Sequence, residues 1–224
     1  MSSMIRCALL AAACAGFAPV LQASPAPTQM LEEAAPAANP EVLHLAAQAA
    51  ACAVKQGVPA AGRLAVIDYT RPSDQARLWV FDLEQHKLLF QELVAHGRNS
   101  GGNFAQRFSN DTGSLESSLG LFRMLDAYSG NNGVSLRMAG LEPGVNDRAL
   151  ERNLVIHGAP YVSPYIAAST GRVGRSWGRP AVRKEVARPL IDALKGGQLL
   201  FAYYPDRHWL ESSRFLHCGG PGPG

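Results

Sequence analysis

The chain has 224 residues, 47% of them hydrophobic and 17% charged, and its 21 Lys and Arg against 18 Asp and Glu give a formal charge of +3. That balance excludes a disordered chain, a fibrous one and a multi-spanning membrane protein. The net charge is also too small to argue for a nucleic-acid partner. The length fits one compact domain, which at this size buries about 70% of its unfolded surface and holds a core without metals or several disulfides.

In chain order, Arg6 is followed by an apolar stretch from Cys7 to Val20 and then by Leu21-Gln22-Ala23. The stretch is too short for a spanning helix and suits a signal peptide, so residues 1–23 are expected to be removed on export to the periplasm or the extracellular space. A lipoprotein-type acceptor at Cys14 is the minor alternative. Residues 24–38, rich in Ala and Pro, read as a flexible leader. Asn39 and Pro40 then suit the start of a helix running over 41–56 and stopped by Gly57.

β-type runs follow at 63–69, 77–83 and 87–95, the last two forming a hairpin around Glu84-Gln85. Residues 96–118, crowded with Gly, Ser and Asn, predict a long irregular segment of the kind that often carries function. Strands are expected at 119–125, 153–157 and 198–204, with a turn cluster at 128–133. A helix is expected over 182–194, its ordered start placed as late as Pro189. The fold class is therefore mainly β (α+β), with an N-terminal helix and one near 183–195. The domain spans 39–218 and is followed by a tail at 219–224.

Export leaves Cys52 and Cys218 as the mature cysteines, either bridged to each other or buried separately as thiols. The six His residues are scattered singly and no Cys/His cluster has metal-ligand spacing, so neither metal nor cofactor is expected. Gly174-Arg175-Ser176-Trp177-Gly178 fits the G-x-S-x-G pattern of a hydrolase nucleophile elbow, with Asp206 and His208 as nominal partners. Its context fails, because no strand precedes it and Pro180 follows closely.

A second pairing is more informative. A strand ending in Val155-Ile156-His157-Gly158, followed by Gly174-Arg175-Ser176-Trp177-Gly178-Arg179-Pro180-Ala181-Val182, resembles the murein L,D-transpeptidase (YkuD-type) catalytic domain. The family motif reads Gly-Arg-Ser-x-Gly-Cys-Pro-Ala. Further blocks in the same order run from Ile67-Asp68-Tyr69 through His96-Gly97-Arg98-Asn99-Ser100-Gly101 to Tyr203-Tyr204-Pro205-Asp206. The resemblance implies a β-sandwich-like catalytic domain that acts on peptidoglycan stem peptides. In such a domain a thiolate activated by a histidine attacks an L,D peptide bond and passes the acyl group to an amine. Carried over by position, His157 is the base and Ser176-Trp177-Gly178 is the presenting turn. From the residues themselves His96 either lines the cleft or caps a strand and Trp177 is either an aromatic wall of the cleft or core, and with Gly158 and Arg175 they are the expected substrate contacts.

The chain departs from this pattern at the decisive position, where Arg179 stands in place of the nucleophilic Cys. A guanidinium stays protonated and cannot attack a carbonyl. Three readings stay open: a degenerate family member that binds stem peptides without transfer, a transpeptidase in which Arg179 is a sequencing error or a deliberate one-base variant of a Cys codon, and other chemistry through His157 and Ser176. The basic run of Arg172, Arg175, Arg179, Arg183, Lys184 and Arg188 is either a solvated face or an attraction for carboxylate-rich peptides.

Overall fold

The structure, a computed structural model, describes residues 27–218, so the expected signal segment, the Cys14 acceptor and the tail at 219–224 lie outside the described residues. Helices α1 (Pro27–Ala34) and α2 (Pro40–Lys55) open it. Asn39 caps α2 by accepting the Glu41 N–H at 3.0 Å, and Pro40 occupies the first turn. The stripe Val42, Leu43, Ala46, Ala49 and Ala53 is buried, as a helix packed on one face requires. Residues 27–38 are not a flexible leader. Leu31, Ala35 and Ala38 are buried in the common core, and that apolar anchoring outweighs the loop-like composition.

Eight strands form one sheet: β1 (Arg63–Asp68), β2 (Leu78–Asp82), β3 (Lys87–Glu92), β4 (Gly120–Gly130), β5 (Gly133–Gly140), β6 (Val155–Gly158), β7 (Ala181–Val182) and β8 (Leu199–Tyr203). Their order is β3-β2-β1-β8-β4-β5-β6-β7. Most neighbours are antiparallel, but β1 runs parallel to β8 and β6 parallel to β7. β2 and β8 are buried along their whole lengths and β1 all but its first residue, so both faces there are covered. Beyond β3 the Ala95 N–H donates to the Ala181 carbonyl of β7 at 2.8 Å. The two edges of the sheet thus meet and the mainly β molecule is nearly closed.

Three further helices complete the chain: α3 (Pro164–Thr170), α4 (Lys184–Leu194) and α5 (Arg207–Ser212). The expected turn cluster at 128–133 is narrower than its sequence suggested. β4 runs to Gly130, β5 starts at Gly133, and a two-residue Asn131-Asn132 loop joins them. Helix α4 begins at Lys184 and not at Pro189, because Ala187, Leu190, Ile191 and Leu194 pull its whole length onto the core while Pro189 sits on the exposed side. A disulfide joins Cys52 of α2 to Cys218, with Cα atoms 5.5 Å apart. Gln48 of α2 and Gln56, its C-cap, also donate to the carbonyls of Leu216 and Arg214 at 2.6 and 2.9 Å. Among the described residues no helix is long and apolar enough to cross a membrane.

Candidate functional site

The segment Gly174–Pro180 crosses the place where the sheet closes and is pinned on both sides. The Ser176 N–H donates to the His96 carbonyl at 2.9 Å, and the Arg98 N–H to the Ser176 carbonyl at 2.7 Å. Across the segment, the His157 N–H donates to the Pro180 carbonyl at 3.3 Å. Glycine is required where these strips touch. A Cβ on Gly97 would fall 2.3 Å from the Leu115 carbonyl oxygen and 2.9 Å from Gly178 Cα, and Gly178 itself has φ +94°. A small apolar cluster of Ala95, Ala159, Val162, Ala167, Val173 and Ala181 supports the turn from below.

A cavity of about 300 Å³ opens beside this turn, lined by Asn131, Asn132, His157, Tyr161, Arg175, Ser176, Trp177 and Arg179. His157, at the end of β6, is 4% exposed. Its Nδ1 lies 3.0 Å from the Gly158 carbonyl, which can only accept, so Nδ1 carries the proton and Nε2 is left as the basic nitrogen. Burial pushes the His157 pKa below the usual imidazole value. The Gly158 carbonyl opposes that shift, and the Arg179 charge adds to it. The imidazole is therefore neutral at neutral pH.

Arg179 fixes its guanidinium by donating from Nε to the Asn153 carbonyl at 2.9 Å. Arg175 donates to the carbonyls of Arg98 and Gly101 at 3.2 and 3.0 Å, tying the turn to the irregular segment. Trp177 is 64% exposed, an aromatic surface in the cavity wall that the core does not claim. Among the described residues, the N–H groups of Trp177, Gly178 and Arg179 make no hydrogen bond, so three successive donors are free for an oxygen anion.

The expected site residues are thus mostly together, with two corrections. His96 does not line the cavity. It is fully buried, its Nδ1 2.8 Å from Arg77 Nη2 while its Nε2 faces the carbonyls of Gly101 and Gly102 without a hydrogen bond. Burial first and the Arg77 charge second lower its pKa to about 4. Only its backbone reaches the site. Gly158 does not line this cavity; it lines the larger cleft beside it, where a Cβ would lie 2.9 Å from Ala187 Cβ of α4.

Ser176 Oγ donates to the His96 carbonyl at 3.3 Å and makes no hydrogen bond to His157, so it is not poised as a nucleophile. Asp206 and His208 line a separate cavity with Phe108 and Trp209, so the hydrolase-elbow reading lacks both partners. Residue patterns did not single out Tyr161, Asn153 or Arg152. The last donates to the Ser109 and Glu116 carbonyls and to the hydroxyls of Ser114 and Ser118, which binds the irregular segment beneath Gly178. Asn131 and Asn132 were visible only as turn residues.

A mainly β domain in which a strand-end histidine faces a Gly-Arg-Ser turn is the class these features define. The family model for the L,D-transpeptidase catalytic domain matches residues 34–203, and the chain belongs to that family. No curated protein matches the sequence. Among solved structures the chain is similar to an L,D-transpeptidase from Mycobacterium smegmatis (13% identity, 65% of this chain and 60% of that one, TM-score 0.41). Two others are an L,D-transpeptidase from Stackebrandtia nassauensis (14%, 79% and 75%, 0.39) and the helical cell shape determining protein Pgp2 from Campylobacter jejuni (9%, 82% and 58%, 0.42). The chain spans about 60% of the length of the mycobacterial relative. Likenesses this distant carry no argument here, and membership rests on the match over residues 34–203.

Proposed function

We propose that this protein is exported and binds peptidoglycan stem peptides in the cavity between His157 and Trp177 without transferring them. The observation that carries the reading is Arg179. It lines the cavity with His157, at the position where the resemblance puts the nucleophilic thiol, and its guanidinium is held on Asn153. The two cysteines among the described residues, Cys52 and Cys218, are bridged and leave no thiolate for His157 to activate. A guanidinium instead suits a carboxylate, to which it donates a fork of hydrogen bonds. The free N–H groups of Trp177, Gly178 and Arg179 suit the same kind of oxygen.

The test is mass spectrometry of the mature protein and of its Arg179→Cys variant, each incubated with a stem tetrapeptide and excess D-amino acid. The expected result is no D-Ala release by the parent and measurable exchange by the variant. Exchange by the parent would overturn the non-transferring reading. Silence of the variant, with the tetrapeptide still bound, would mean that the cleft serves recognition alone and that restoring a thiol does not rebuild transfer.

A further inference from the structure

A second and larger cleft, about 530 Å³, adjoins the one described. Asn131 and Asn132 line both, so the β4–β5 loop is a shared wall. Its apolar lining is Val134, Pro160 and Ala187, and its charge comes from Lys184 and Arg188 alone; no acid lines it. These two cations stand four apart on α4, on one helix face, where like charges repel.

Among the described residues neither makes an ion pair; Glu92 and Asp192 are engaged elsewhere, and Glu185, the acid between them on α4, makes no ion pair and does not line the cleft. Glu92 takes Arg183 at 2.6 Å, and Asp192, which feels the Arg188 charge, takes Lys195 at 2.7 Å. A cleft with an apolar floor, two amide side chains, two cations and no acid in its lining suits an anion of peptide size. We infer that it is a subsite for a carboxylate-bearing arm of a peptide. Lys184 and Arg188 hold the carboxylate, Asn131 and Asn132 face the peptide backbone, and the rest of the ligand lies over His157 and Trp177. This inference rests on the stem-peptide reading and adds to it where the acidic arm goes.

The experiment is isothermal titration calorimetry of the mature protein at low salt with two probes. One is the tetrapeptide L-Ala-γ-D-Glu-meso-diaminopimelate-D-Ala, and the other is the same peptide with every carboxyl amidated. Loss of charge-assisted hydrogen bonds from a partly solvated site predicts that the acid binds about tenfold more tightly than the amide. The double variant Lys184→Gln/Arg188→Gln is expected to reduce that preference severalfold, leaving the part due to Arg179, while affinity for the amide changes little. Both side chains are exposed on α4, and unchanged melting of the variant checks that it folds. An undiminished preference in the double variant would overturn the subsite and leave the stem-peptide reading standing. Failure of both peptides to bind the parent would overturn the subsite and the stem-peptide reading together.

Discussion

A histidine packed against an arginine must accept with one ring nitrogen and donate with the other, and His96 has a partner only for the first. Its pKa of about 4 makes it an acid-labile support of the site. The unfolded imidazole titrates near 6.5. Between roughly pH 6.5 and 4 the unfolded chain therefore binds a proton that the folded one refuses, and stability is lost as pH falls through that window. The loss is on the order of 3 kcal/mol for a shift of this size. Glu142 acts in the opposite sense: burial pushes its pKa up, so acid favours its folded state. Comparison with His96→Gln, which keeps an acceptor for Arg77, isolates the histidine. Melting temperatures taken from pH 7 to 4 are expected to fall more steeply for the parent than for the variant; parallel curves would remove His96 as the cause.

Between elements, the backbone strips of the site pack closely at Gly97, where a Cβ would fall 2.3 Å from the Leu115 carbonyl oxygen and 2.9 Å from Gly178 Cα. Gly97→Ala forces that contact apart and is expected to cost about 2–3 kcal/mol. Gly102→Ala, in the same segment with nothing within 4 Å, is expected to stay within about 0.5 kcal/mol of the parent. Urea unfolding with equal slopes for the three proteins is the check.

This is also the scale at which sequence was most and least informative. Runs such as Leu64–Ile67 and Leu199–Tyr203 announced themselves by continuous apolar residues, because strands covered on both faces need no alternation. β5 was missed although Leu136 and Met138 point inward around an outward Arg137, because the Asn131-Asn132-Gly133 cluster read as the end of structure rather than as a hairpin loop. The caps of α3 and α5, Ser163 before Pro164 and Asp206 three residues before Trp209, are residue types that mark a helix start in sequence. The chemistry of Arg179 was legible from one motif, whereas Tyr161 and Asn153 reach the site only through pairings that no local pattern encodes.

At the scale of the whole molecule, the Cys52–Cys218 bridge closes a loop across a sequence separation of 166 residues. Because so long a loop is constrained, replacing both cysteines with Ser is expected to cost about 2–5 kcal/mol. Calorimetric melting of parent and variant measures it, and equal melting would show that the hydrogen bonds of Gln48 and Gln56 suffice to hold the C-terminal segment on α2.

The meeting of Ala95 with Ala181 has a different consequence. The sheet joins itself along a short seam, a garment in which Ala95–Ala181 is one fastener beside the Ser176 strip and the Glu92–Arg183 pair, and His157, Ser176 and Arg179 are sewn along its edges. Parting that fastener would pull the lips of the cleft away from each other while the panels of β1, β2 and β8 stay whole. The amide of Ala95 is therefore expected to exchange with deuterium long before that of Val66. A peptide laid across the gap would slow Ala95 and leave Val66 unchanged, so that the ligand itself acts as the clasp.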